Sequence, residues 1–110
     1  MTPSSIDIET LRQSATEACA LLKVLGNADR LLLLCQLTQG EHCVAELADL
    51  TGVTQPTLSQ QLTVLRQNGL VITRREGKQM YYSITSENAM AVMQVLYELY
   101  CKQPNGEEAI

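Results

Sequence analysis

The stretch TQPTLSQQLTVLRQNG, residues 54–69, constrains the fold of this chain more than any other. Thr54 is a predicted N-cap, and Pro56 follows in the first turn, where a missing N–H costs nothing. Three leucines at spacings of four and three form a narrow apolar stripe: Leu58, Leu62 and Leu65. Asn68-Gly69 is a typical helix stop. The stretch therefore predicts one amphipathic helix.

A second helical pattern, HCVAELADLTG, comes directly before it. Cys43 stands where a capping residue belongs, and Glu46 follows three residues later, the spacing of a capping box. Gly52-Val53 then turns the chain into the next helix. Two helices joined by a tight glycine turn indicate a helix-turn-helix.

The polar face of the second helix is suited to reading base edges in a DNA major groove. It offers uncharged amides and hydroxyls: Gln55, Thr57, Ser59, Gln60 and Gln61. An ordinary solvated face is the alternative, and the preceding helix and turn favour the DNA-reading interpretation.

Two β-rich runs follow, Leu70–Arg75 and Gln79–Ile84, around a Glu76-Gly77-Lys78 turn. A hairpin at this place is a wing, and its basic residues are suited to phosphates or the minor groove. Together with the last turn of the preceding helix, it supplies the predicted phosphate contacts: Arg66, Arg74, Arg75 and Lys78. A solvated turn remains the alternative. The net charge of the chain is −4, yet Glu76 is the only acidic residue between positions 50 and 86, where these four basic residues lie. This segment is therefore positively charged within an acidic chain.

Three further helices are predicted around this module. The first spans Ile8–Leu25, the second Ala28 to about Thr38, capped by Asn27 and buried on nearly all sides, and the last follows the cap Ser86. The first and last carry long apolar seams that a chain of 110 residues cannot cover alone, so we expect a homodimer formed through them.

The predicted fold is mainly α with a small β-hairpin wing, a winged helix-turn-helix with four helices, then two strands and then a fifth helix in chain order. It is expected to be a single domain with a folded core at 8–102 and flexible ends at 1–7 and 103–110. The longest apolar run is Leu31–Cys35, and no signal peptide is evident, so a cytoplasmic protein without a membrane partner is expected. No cofactor and no enzymatic site are predicted.

In combination, LGNADRLLLLCQL, VAEL, TQPTLSQQLTVLRQNGLV and MYYSI resemble the ArsR/SmtB family of dimeric winged-helix repressors. The resemblance covers residues 21–101. It implies a homodimer that binds a double-stranded operator with an inverted repeat and releases it when an inducer binds.

Neither of the family's usual metal sites is complete. Arsenic and cadmium sensors of the family have ELCVCDLC where this chain has EHCVAELA, and the ligands of zinc sensors are missing from the last helix. One sulfur cannot form a tri-thiolate site. A metal-responsive repressor with an improvised Cys19, His42 and Cys43 site remains an alternative, although Cys19 is expected to pack and Cys43 to cap a helix.

Two other cysteines resemble those of the family's persulfide sensors, the BigR, SqrR and HlyU types. Cys35 follows the apolar run LLLLC, and Cys101 ends LYELYC. The resemblance implies that this pair reacts with low-molecular-weight persulfides or polysulfides, forms a disulfide or polysulfide bridge, and thereby controls sulfide-detoxification genes. Packed core thiols are the alternative, because free cysteines are often buried.

Three other functions stay open: a redox-responsive activator that displaces a silencing protein, a thiol peroxidase and a protein-interaction module. No base, orienting partner or CxxC motif supports the peroxidase.

Overall fold

The computed structural model describes residues 7–101. The elements in chain order are α1 (Ile8–Leu25), α2 (Ala28–Leu37), β1 (His42–Cys43), α3 (Val44–Thr51), α4 (Thr57–Gln67), β2 (Val71–Glu76), β3 (Gln79–Ile84), α5 (Glu87–Leu96) and a π-helical segment (Tyr97–Cys101). The predicted winged helix-turn-helix is confirmed, with one strand more than the sequence predicted. The predicted flexible range 103–110, and all of 1–7 except Asp7, lie outside the described residues.

Helix α1 begins and ends where its pattern predicts. The Asp7 carboxylate accepts a hydrogen bond from the Thr10 N–H at 2.7 Å, so Asp7 caps the start of the helix. Val24 and Leu25 in the last turn are buried, whereas residues 8–20 are exposed. The radius of gyration of 16.4 Å exceeds the ~13 Å of a compact 100-residue domain, in keeping with a helix that extends from the body.

Helix α2 is held at its start by Asn27, whose side-chain oxygen accepts from the Arg30 N–H at 3.0 Å. Leu33, Leu34 and Leu37 are buried, but Leu32 is 46% exposed. Helix α2 is therefore buried less deeply than predicted, because the side that carries Leu32 faces solvent.

The core joins α2, α3 and α4. Six leucine side chains are almost fully excluded from solvent: Leu33, Leu34, Leu47, Leu58, Leu62 and Leu65. Burial of each contributes ~1.5–3 kcal/mol relative to exposure, so these leucines hold the helix-turn-helix onto α2.

Gly52 makes the turn between α3 and α4. Its φ of 77° lies in the left-handed region, and its N–H donates to the Ala48 carbonyl at 2.9 Å. At the start of α3, the Glu46 carboxylate accepts from the Cys43 N–H at 3.0 Å, which is one half of the predicted capping box.

The wing is a three-stranded antiparallel sheet in the order β1-β3-β2. Val71 pairs with Ile84 and Glu76 with Gln79, which leaves Gly77 and Lys78 as a two-residue turn instead of the predicted three. Strand β2 thus lies one residue further along the chain than the predicted strand Leu70–Arg75. The additional strand, β1, pairs its two residues with Tyr82 and Tyr81 of β3.

Helix α5 starts at the predicted cap, where the Ser86 hydroxyl oxygen accepts from the Ala89 N–H at 3.0 Å. Ala89 and Met93 are buried against the core. Beyond Leu96 the helix widens into the π-helical segment that ends at Cys101. No helix within residues 7–101 is long and apolar enough to cross a membrane.

Candidate nucleic-acid interface and cysteine pair

Helix α4 presents its leucine stripe to the core and its polar face to solvent. It begins at Thr57, three residues after the predicted N-cap Thr54. The Thr54 carbonyl, not its side chain, accepts from the Leu58 N–H at 2.9 Å, and the Gln55 amide oxygen accepts from the Ser59 N–H at 3.0 Å. The prediction of Thr54 as the side-chain cap is wrong, because the Gln55 amide supplies a side-chain acceptor at this end.

The five polar residues predicted to read bases are not equivalent. Gln55, Ser59 and Gln60 are exposed, and Thr57 is half-buried at the helix start. Gln61 is also half-buried, and its amide oxygen accepts from Arg30 Nη1 at 2.7 Å. Gln61 therefore faces the protein body with one of its polar atoms.

Arg30, the partner of Gln61, is a residue of the site that the sequence pattern does not predict. Its guanidinium also donates to the carbonyls of Val24 and Lys23 near the end of α1, at 2.5 and 3.4 Å. Its only sequence signal is a cation at the edge of an apolar run, which does not predict a partner 31 residues away.

The four predicted phosphate contacts, Arg66, Arg74, Arg75 and Lys78, are all exposed. Arg74 differs from the others because carboxylates surround it. Its Nε and Nη2 donate to Glu41 at 2.8–3.0 Å, and its Nη1 donates to Glu76 at 2.5 Å. These bonds, first those to Glu41, raise the pKa of Arg74 above its usual value, and its guanidinium also lies 5.0 Å from the Tyr81 ring centroid.

Cys35 lies on a groove of about 610 Å³ between the end of α2 and α5. Its walls include Thr38, Gln39 and Gln94, with Tyr97 and Glu98 of the π-helical segment but not Cys101 itself. Cys35 is half-buried, and Cys101, the last residue of that segment, is exposed. Both are free thiols.

The structure does not group Cys19, His42 and Cys43 as the ligands of a metal site. Cys19 is exposed on α1, whereas Cys43 is buried where β1 meets α3. His42 Nδ1 lies 3.2 Å from Glu46 Oε1. Among residues 7–101, no three His, Cys, Asp or Glu side chains are grouped as metal ligands would be.

Residues 27–73 match the model of the arsR family of bacterial regulatory proteins. The chain is 45% identical over 96 residues to the biofilm growth-associated repressor of Agrobacterium fabrum, covering 87% of this chain and 82% of that protein. The chain belongs to the arsR family. Its predicted family and its relation to the BigR and HlyU types are confirmed, and the protein is a DNA-binding transcription regulator.

Solved structures agree with this family assignment. The transcriptional repressor BigR from Xylella fastidiosa is 44% identical, with a TM-score of 0.81, covering 89% of this chain and 100% of that one. Reduced HlyU from Vibrio cholerae is 36% identical, with a TM-score of 0.82, covering 86% and 100%. The arsR-family fold therefore covers most of the chain and extends well beyond residues 27–73 of the family match.

Proposed function

We propose that this protein is a dimeric repressor that releases its operator when sulfur bridges Cys35 and Cys101. The observation that carries the proposal is the groove beside Cys35, because its wall includes Tyr97 and Glu98 of the π-helical segment, which ends three residues later at Cys101. The two thiols thus belong to elements that meet at one groove. The repressor role follows the BigR and biofilm-repressor relatives.

Homodimerisation is supported by apolar side chains that the protomer leaves exposed on α1, on α5 and on the π-helical segment that follows α5. Leu99 is 67% and Tyr100 79% exposed, and others share this exposure: Ile8, Leu11, Leu22, Val95 and Tyr97. Surfaces of this kind mark protein interfaces. A twofold dimer matches an operator with an inverted repeat.

In this dimer, α4 enters the major groove and the wing contacts the backbone. Exposed Gln55, Ser59 and Gln60, with Thr57, supply the base contacts, whereas Arg66, Arg75 and Lys78 supply phosphate contacts, joined by Arg74 when its carboxylates release it. The operator lies in the bacterial cytoplasm, where we place the protein.

The sensing step is thiol–persulfide exchange. A Cys35 thiolate attacks the terminal sulfur of a persulfide RSSH, which yields Cys35–S–SH and releases RS⁻. The Cys101 thiolate then attacks the inner sulfur of Cys35–S–SH, which yields a disulfide and HS⁻. If Cys101 is itself persulfidated, Cys35–S–S⁻ attacks its inner sulfur and gives a trisulfide with loss of HS⁻.

The bridge links α2, which packs on α4, to the end of α5 at the dimer seam. A coupling of about 1–3 kcal/mol weakens an operator complex roughly 5–150-fold, which is enough for induction. By resemblance, the regulated genes are those for sulfide and persulfide detoxification.

The test combines operator release with mass spectrometry. Glutathione persulfide is expected to release the operator from the wild type and to leave a Cys35–Cys101 link, with a trisulfide 32 Da heavier than the disulfide. Cys35→Ser and Cys101→Ser should stay bound, while Cys19→Ser, at another exposed thiol, is the matched control and should respond. Release by Cys35→Ser, or modification confined to Cys19 or Cys43, contradicts the assignment.

The direction of regulation has its own test. Deletion of the gene is expected to raise transcription from the operator-bearing promoter. A fall in transcription that requires a second DNA-binding protein would instead favour the activator that displaces a silencer.

A further inference from the structure

The Arg30 guanidinium joins the end of α1 to the middle of α4. Nε donates to the Val24 carbonyl at 2.5 Å, Nη2 to the Lys23 carbonyl at 3.4 Å and Nη1 to Gln61 Oε1 at 2.7 Å. Arg30 itself stands in the first turn of α2. One side chain therefore connects three helices.

The contact with α1 has a clear physical cause. The last carbonyls of a helix lack partners within the helix and lie at the negative end of its dipole, so a cation there is stabilised. The guanidinium is planar and presents donors in fixed directions, so the carbonyls of Val24 and Lys23 also restrict the direction of Nη1. A lysine ammonium would supply the charge without this directional constraint.

The contact with α4 has a particular place on that helix. Gln61 lies between the buried Leu58 and Leu65 and beside the buried Leu62, so it stands at the border of the apolar stripe. Arg30 and Gln61 are both half-buried. Their hydrogen bond is charge-assisted and partly shielded from water, which makes it stronger than an exposed neutral one.

We propose that Arg30 is a positioning residue that sets the orientation of α4 relative to α1, and that Gln61 receives this constraint instead of reading a base. The inference rests on the proposed function, in which α1 forms the dimer seam and α4 enters the major groove. In such a dimer, the angle between α1 at the dimer interface and α4 in the major groove sets the separation of the two α4 helices. Half-sites are read about one DNA turn apart, so Arg30 enforces the preferred spacing of the operator.

The same link provides a route from the thiols to DNA. Cys35 lies five residues after Arg30 on α2. A displacement of α2 caused by a bridge at Cys35 therefore moves the group that holds Gln61.

The experiment measures preference for half-site spacing. The probe is the duplex that the wild-type protein selects from a random-sequence library, together with versions whose half-sites are one base pair closer or farther apart. Arg30→Met keeps the apolar stem and removes the donors, and Gln61→Leu removes the acceptor. Both are expected to lower the ratio of the affinities for native and altered spacing about tenfold or more, the range of a lost charge-assisted hydrogen bond.

Two further variants separate positioning from base reading. Gln61→Glu keeps an acceptor for Arg30 and should retain the spacing preference, although its charge lowers affinity for every duplex. Gln60→Leu, at the exposed neighbour, should change affinity for particular bases and leave the spacing preference intact. Thermal unfolding of each variant shows whether it is folded, and if Arg30→Met is not, the two Gln61 variants decide.

An unchanged spacing preference in Gln61→Leu would overturn the inference. It would also be overturned if Gln61→Leu and Gln61→Glu lost the spacing preference equally and both changed the preference for particular bases. If the wild type selects no duplex at all, the proposed function fails and the inference fails with it. Selection of a duplex without any spacing preference in the wild type refutes the inference alone.

Discussion

A sulfur bridge between Cys35 and Cys101 is expected to stabilise the protein strongly against unfolding. The two residues are 66 positions apart in the sequence, so the bridge closes a long loop in the unfolded chain. The chain-entropy model gives about 4 kcal/mol of stabilisation for a loop of this length, before any strain in the folded state is subtracted. With a urea m-value of roughly 2 kcal/mol/M, the midpoint should rise by about 2 M.

The assay is urea unfolding of protein treated with glutathione persulfide, before and after reduction. Protomer concentration must be held constant, because dimerisation contributes to the measured stability. Cys35→Ser treated in the same way is the control and should show no rise. The reasoning is refuted if mass spectrometry finds the bridge in the wild type and the midpoint rises no more than in Cys35→Ser. A rise below 2 M measures strain that the bridge introduces, and this strain is energy available for releasing DNA.

Two further predictions concern charged groups. Glu41→Gln removes the main carboxylate partner of Arg74, so operator affinity should rise, and the slope of log binding constant against log salt concentration should steepen by up to ~0.9 per protomer. Arg74→Gln in the same background should cancel both changes in a salt titration. An unchanged slope in Glu41→Gln would argue against a phosphate contact by Arg74. The pKa of Glu46 is held below its usual 4.5, first by the Cys43 N–H and then by His42, so its stabilisation is present above that value and is lost as pH falls through the lower folded pKa. Glu46→Gln should therefore flatten the fall in urea midpoint between about pH 5 and 3, and a fall as steep as in the wild type would contradict this.

Local chemistry explains which parts of the fold were predictable. Asn27, Gly52 and Ser86 act where the sequence predicts, because a cap or a left-handed turn depends on residues within three or four positions. The leucine stripe of α4 also predicts its buried face correctly. These features follow from spacing alone.

Features that depend on distant residues were not predictable in this way. Strand β1 consists of only two residues and exists because they pair with β3 nearly forty positions later. The Arg30–Gln61 and Arg74–Glu41 contacts span 31 and 33 positions. In both contacts, a side chain predicted to bind DNA, Gln61 or Arg74, has a tertiary partner that periodicity cannot reveal.

The candidate site also contains parts that the sequence predicts and parts that depend on tertiary structure. The exposed face of α4 and the cationic wing tip follow from the sequence pattern, whereas the groove beside Cys35 requires α2 and the π-helical segment to meet. The pairing of Cys35 with Cys101 came from resemblance to a subgroup of the family and stays a prediction until the bridge is measured.

The short strand β1 also has a consequence for self-association. Unpaired strand edges act as templates for pairing with other chains, and proteins protect them with short strands and charged residues. Within residues 7–101, β1 covers one edge of β3 with only two residues, and the opposite edge of the sheet is β2, which carries Arg74, Arg75 and Glu76. The sheet therefore resists edge-to-edge aggregation, and the apolar faces of α1 and α5 are left as the surface through which copies of the chain can associate.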